Sequence, residues 1–294
     1  MHQVDASQVS FAFRPDVEPV LRVEPGETVR FETASAPVER LFAAGENWLA
    51  VSDVSAINAV SGPVYINGAL PGDAISVEVL SVEPGDWAWN AFLPGFGPLD
   101  DLMPGAMLER LPIVDGAVIV SDHIHIPLQP MIGCLGLAPA TGETSTLSPT
   151  TPWAGNYDLT QISPGATVYF PVQVPGGLFS LGDLHAAMGE NEGASIALEC
   201  PGHATVRFGT HPGMSLETPR IETPDRIYVM GIASRGRYLD ARSQAVRLLF
   251  TYLTNEAGLS PRDAHIVISA AGDIQLGGPA GMNVLASAPR WVMG

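Results

Sequence analysis

Asp183 and His185 stand two residues apart in Leu181-Gly182-Asp183-Leu184-His185-Ala186-Ala187, directly after an apolar strand pattern, and Glu190 and Glu192 follow a few residues later. In an extended backbone two such side chains leave the same face. A carboxylate beside an imidazole can hold a divalent metal ion. The same spacing also closes an ordinary hydrogen-bonded turn, so from spacing alone both readings stand. Gly182 and Gly189 allow the tight or positive-φ turns that bring backbone close to a ligand.

The chain around this segment has 294 residues, 46% of them hydrophobic, enough for one large domain or two intimate subdomains with a substantial core. Its formal charge of −17 argues against nucleic acid or an anionic membrane as partner, since both are held mainly by basic side chains. A neutral or cationic small molecule suits it better. The start Met1-His2-Gln3-Val4-Asp5 lacks a basic, then apolar, leader pattern, and no apolar run approaches the roughly 20 residues that span a bilayer. The expectation is a soluble, cytoplasmic protein. Cys134 and Cys200 are too few for a disulfide framework, and Cys134, among Ile132, Gly133, Leu135 and Gly136, reads as a buried inert thiol rather than a nucleophile.

The elements that must position Asp183 and His185 are mostly strands. Alternating runs at Glu27–Thr33, Ala74–Ser81, Ala117–Ser121, Thr167–Val174, Ser195–Glu199 and Thr205–Phe208 predict β structure. Pro25-Gly26, Pro71-Gly72 and Pro164-Gly165 precede strands as type II turns require. Gly62 lies nine residues before Pro71, as Gly155 does before Pro164, which suggests an internal duplication. A helix is predicted over Asp240–Glu256, capped by Asp240 and ended by Gly258. A short helical turn at Ser260-Pro261-Arg262-Asp263 and a buried strand over His265–Ala270 follow. Gly209–Asp225, rich in Pro and Thr, reads as a long loop that covers a site or mediates association. The architecture expected is a mostly β, sandwich-like α+β fold with a helix-containing C-terminal element. It forms one domain over 1–294, divisible into an N-terminal β unit (1–125) and a unit carrying the site (126–294).

Three blocks in this order carry a resemblance to a known family: Pro130-Met131-Ile132-Gly133-Cys134-Leu135-Gly136-Leu137-Ala138-Pro139, then Gly155-Asn156-Tyr157-Asp158, then Gly182-Asp183-Leu184-His185-Ala186-Ala187-Met188-Gly189 with Glu192. Together they resemble the acetamidase/formamidase family, and the likeness runs from Arg14-Pro15 through Pro94-Gly95-Phe96-Gly97 to Ala264–Asp273. The resemblance implies a metal-dependent hydrolase of short amides that releases ammonia and a carboxylate. Such a catalyst must activate a resonance-stabilised carbonyl and protonate a poor leaving group; a divalent metal serves the first task and a carboxylate the second. Placed residue by residue, it implies Asp158, Asp183 and His185 as metal ligands, with zinc before calcium or another divalent ion. Glu192 becomes the general base and acid, Glu190 its alternative, and Asn156 the group that orients water or amide.

Departures from the family pattern fall close to the site. Trp153-Ala154 stands where the family has His-Gly, and a bulky Trp153 there is expected to narrow the pocket or give it an apolar wall. Asn191 replaces a family Gly, and Asn tolerates left-handed geometry. A linear-amide amidase is therefore the expectation, with a lactam-opening hydrolase or a degenerate ligand-binding or assembly protein as alternatives. A homo-oligomer is expected, a dimer first. His123 and His125 form a second same-face pair that matches no family block and are read as solvent-facing or hydrogen-bonded. Trp87-Ala88-Trp89 reads as a loop anchor before a pocket wall.

Overall fold

Alternation converts directly into buried and half-exposed rows: Thr28–Glu32 buries Val29 and Phe31 between less buried neighbours, and Ala74–Pro84 buries Ile75, Val77, Val79 and Val82. The computed structural model describes residues 1–147, 150–234, 236–278 and 282–293. Among these, nine strands form one sheet in the order His2–Val4, Thr28–Glu32, Gly202–His211, Ala74–Pro84, Thr167–Pro171, Arg220–Glu222, Arg226–Ala233, Met282–Pro289 and Asp273–Leu276. A second, eleven-stranded sheet runs from Ile124–Pro127 through Ala117–Ser121, Met107–Val114, Trp87–Phe92, Leu198–Cys200, Phe179–Ala187 and Met131–Gly136 to Ala154–Asn156. Val60–Ile66 also pairs with Phe179–Ala187 and carries Val9–Ser10 and Leu21–Val23.

One apolar cluster joins the two sheets, as a sandwich requires. Phe179 of the larger sheet meets Phe31 and Phe208 of the other edge-on, at ring-centroid distances of 5.9 and 5.1 Å. The two strands that follow Pro71-Gly72 and Pro164-Gly165 are antiparallel neighbours, Val77 opposite Val168. The turns answer each other: Gly72 N–H donates to the Val172 carbonyl and Gly165 N–H to that of Val79.

The helix Tyr238–Asn255 buries Ala241, Ala245, Leu249 and Leu253 against Arg226–Ala233 and Met282–Pro289. Gly231 makes this possible, because a Cβ there would lie 1.9 Å from the Ala241 carbonyl oxygen. Its N-cap is Arg237, not Asp240, which sits in the first turn paired to Arg237. Gly258, with φ 73°, follows its end. No helix of the described residues is long and apolar enough to cross a membrane.

Three sequence expectations are corrected. Pro261–Ala270 is one helix, so His265–Ala270 is not a strand: the Ser260 hydroxyl accepts from Asp263 N–H, Pro261 occupies the first turn, and Ala264 faces inward while Ile266 is exposed. A run of β-branched residues after a good cap is helical when only one side of it meets a core. Gly209–Asp225 is not one long loop. Gly202–His211 pairs along its length with Ala74–Pro84, and Arg220–Glu222 pairs with Thr167–Tyr169. A three-residue strand shows too little alternation to read in advance. The strand expected at Ser195–Glu199 is Leu198–Cys200, displaced because Ser195 has a left-handed backbone with φ 78°.

Candidate metal centre

The site is built on Gly133, in the strand Met131–Gly136. That strand lies between Phe179–Ala187 on one side and Ala154–Asn156 on the other. Ile132–Leu184 and Cys134–Gly182 pairs bracket Gly133, which puts it opposite Asp183. On its other side the Gly133 carbonyl accepts from the N–H groups of Tyr157 and Asp158, at 2.9 and 3.2 Å. Both carboxylates are thereby drawn over a residue without a side chain. A Cβ on Gly133 would lie 2.6 Å from Asp158 Oδ1, 2.8 Å from Asp183 Oδ2 and 2.8 Å from His185 Nε2. Three donor atoms thus converge on one point.

His185 Nε2 lies 3.8 Å from Asp158 Oδ1, 3.6 Å from Asp183 Oδ1 and 3.3 Å from Glu199 Oε2. Glu199 is the cross-strand neighbour of His185, so both side chains share a face. The ligating atoms of Asp158, Asp183 and His185 lie within 4.8 Å of one another, as do those of His185, Glu192 and Glu199. Asp158, His185, Glu192 and Glu199 are buried and Asp183 nearly so. Backbone strain concentrates here: Asp158, Asp183 and Glu192 have φ of 46°, 59° and 45°, the left-handed region that L side chains avoid. Asp183 therefore reaches the shared face from a kinked backbone rather than from the regular extended strand the spacing implied. Asn191, φ 66°, keeps the turn that the family's Gly would make, and its amide donates to the Gly277 carbonyl.

Amide side chains hold the carboxylates in place. Asn58 Nδ2 donates to Asn156 Oδ1 at 2.8 Å and lies 3.1 Å from Asp183 Oδ2, and Asn156 Nδ2 donates to Asp158 Oδ2 at 2.8 Å. Gly278 N–H and Asn283 Nδ2 both donate to the Tyr157 carbonyl, which anchors the turn into Asp158.

Four carboxyl groups crowd one imidazole. Burial, then the charges of Glu192 and Asp183, push Asp158 well above the ordinary carboxylate range, and burial with Asp183 and Glu192 does the same to Glu199. Burial lifts Glu192 to about 7. Burial also opposes ionisation of Asp183, but His185, Glu199 and Asn58 outweigh it and hold that carboxyl below its usual value. Burial disfavours the His185 imidazolium, yet Asp183 and Glu192 keep its pKa above the ordinary histidine value. Among the described residues no arginine lines this cavity to balance the acids. Asp158 Oδ1 and both His185 ring nitrogens, all buried, make no hydrogen bond among them. Oxygen and imidazole donors, orphaned and converging on an acidic focus, fit a divalent cation.

The cavity measures about 330 Å³. Asn156, Asp158, Asp183, His185 and Glu192 all reach it. Glu190 does not: it is exposed and accepts from the Thr160 hydroxyl. Trp153 does not narrow it either; its ring packs with Phe13, Val60, Cys134 and Ala154, and its Nε1 donates to Thr144 Oγ1. His123 and His125 are exposed on an outlying hairpin. Cys134 is fully buried and its thiol pKa is raised by that burial. Trp89, expected to anchor a loop, lines the cavity, and so does Trp48. Asn58 and Glu199 went unread in the sequence. Glu199 carried one signal, an acidic residue inside the apolar run Ile196-Ala197-Leu198-Glu199-Cys200.

A model described as the acetamidase/formamidase family matches residues 2–145 and 140–276. The structure superposes on a "predicted acetamidase/formamidase" from Thermoanaerobacter tengcongensis with a TM-score of 0.92, at 28% identity, covering 99% of this chain and 96% of the other. An acetamidase from Bacillus halodurans gives 0.90 at 29% identity, over 99% and 98%. A formamidase from Methylophilus methylotrophus is 24% identical over 265 residues; the match takes in 69% of this chain and spans only 64% of that relative's length.

Proposed function

Since the chain belongs to the acetamidase/formamidase family, we propose that it is a metal-dependent hydrolase of linear carboxamides, R–CO–NH2 plus water giving a carboxylate and ammonia. The observation that carries this reading is the convergence of Asp158 Oδ1, Asp183 Oδ2 and His185 Nε2 on one point over Gly133. These three residues would hold the ion, zinc before calcium. When bound, it would supply Lewis acidity toward the amide carbonyl and the water.

The remaining chemistry belongs to the chain. Glu192, buried at the cavity wall, where burial lifts its carboxyl to about 7 in the metal-free protein, takes the proton of the attacking water and returns it to the nitrogen as the C–N bond breaks. A carboxyl poised near neutrality can act in both directions. Glu190, outside the cavity, has no part in it. Asn156 donates to Asp158 and accepts from Asn58, so it positions a ligand, and it also reaches the cavity where water or the amide would sit.

The test is ammonia release from a panel of linear amides by chelator-stripped and metal-reloaded protein. Turnover lost on stripping and regained with zinc is the expected result. Equal turnover by stripped protein would overturn the metal-dependent reading.

A further inference from the structure

Resting on the amide-hydrolase reading, we infer that the substrate's acyl group is bulky, neutral and aromatic, an aryl-substituted acetamide rather than formamide or acetamide. The acids occupy one end of the cavity. The rest is mainly apolar, with Thr33, Ser35 and Ser195 as polar exceptions: Val38 and Leu41 of the helix Ala36–Ala44, Trp48, Trp89, Ala91 and Ile196 line it and belong to an apolar cluster distinct from the core between the sheets. At about 30 Å³ of liquid volume per water-sized group, the four non-hydrogen atoms of acetamide occupy on the order of 100 Å³. The cavity has about 330 Å³, so most of it would stay wet or void against apolar walls. Neither state returns binding energy to the reacting end, whereas a ring placed there does.

Trp89 sets where that ring goes. It is the cross-strand neighbour of Glu199, which is in turn the neighbour of His185. Directly paired residues share a face, so the indole stands one strand beyond the acidic cluster, within reach of a group attached to the acyl carbon. Aromatic walls select a ring by offset or edge contact. Charge selects neutrality. All 14 basic residues of the chain are arginine, and among the described residues none lines the cavity. An acyl group with its own carboxylate would meet no counter-charge there. Gly95 and Phe96, exposed, stand at the rim where such a substrate enters.

The experiment compares kcat/KM of the zinc-loaded protein for acetamide and phenylacetamide. The expected result is a preference for phenylacetamide of about tenfold or more. Faster turnover of acetamide would overturn the acyl assignment while leaving the amidase reading intact. If neither amide is hydrolysed, the amidase reading fails and calorimetric binding decides the pocket: saturable binding of phenylacetamide but not acetamide supports it, and no binding of either overturns it. Ala91→Trp, which fills the wall, should lower the phenylacetamide-to-acetamide ratio at least tenfold; an unchanged ratio in a folded variant counts against the placement of the ring.

Discussion

The floor and the roof of the cavity are held by different forces. On the floor, Asp158, Asp183 and Glu192 take left-handed backbones, Gly133 gives the two aspartates and His185 room, and amides from Asn58 and Asn156 fix two of the carboxylates. The roof, Val38, Leu41 and Trp48 with Trp89 and Ala91, is held by apolar packing in a cluster of its own. Around it Leu49, Val51 and Phe96 stay 45%, 43% and 43% exposed, so that shell is thin. A donor set must be placed within tenths of an ångström, which needs directional bonds and tolerates strain. A pocket for an acyl group needs only shape and dryness, and side chains suffice. Changes to the floor should therefore strike chemistry, and changes to the roof should strike stability and substrate choice.

The largest effect expected is from Asp183→Ala, which should abolish turnover and metal binding with the circular dichroism of the folded protein unchanged. Retention of most activity would remove Asp183 from the ligand set. Next, Glu192→Gln should keep the metal, read by elemental analysis, and lower kcat by about 10²–10⁴-fold; full activity would leave the proton shuttle unassigned. Gly133→Ala adds a single methyl at 2.6–2.8 Å from three donor atoms and should reduce metal stoichiometry. Its counterpart on the roof, Leu41→Ala, removes three carbons from a residue 1% exposed. It should lower stability by about 2–5 kcal/mol in denaturant titration while leaving metal stoichiometry as in the wild type. If Gly133→Ala binds metal normally, or Leu41→Ala loses it, the division between floor and roof fails.

A change of pH sharpens the same contrast without a substitution. In the metal-free protein the folded values of Asp158, Glu192 and Glu199 lie above the unfolded ones, so the folded state holds more protons and stability falls as pH rises from about 4.5 toward 7. Asp183 acts oppositely, its contribution being lost only as pH falls below the usual carboxylate range. For Glu192 alone, a change from 4.5 to about 7 corresponds to about 3 kcal/mol. Metal-stripped protein should melt higher at pH 5 than at pH 8, and zinc should reverse the order. A stripped protein that melts higher at pH 8 would mean that the acids are not charge-frustrated.

Much was legible from local pattern. The Pro-Gly turns, the alternating strands and the helix near Tyr238–Asn255 follow from short-range sterics and periodicity, which act within a few residues. Asp183 and His185 were visible through spacing, and Asn156, Asp158 and Glu192 through family resemblance. Other features depended on partners distant in the chain. Asn58 meets Asp183 across 125 residues, and Glu199 meets His185 only through strand pairing. Trp153 carried a size but no direction, and packing turned it toward Phe13 and Val60 instead of the cavity. Pro261–Ala270 became a helix because its cap and one-sided burial outweighed its β-branched run.

By itself the sequence determined which residue types could do chemistry and which segments alternate, because those properties reside in single side chains and their near neighbours. Only the tertiary structure decided that Asp158, Asp183 and His185 converge over Gly133, that Glu192 and Glu199 join the same imidazole, and that apolar side chains line the same cavity. Charge frustration, cavity size and the direction of a buried side chain are properties of segments brought together, and strand pairing brings them together.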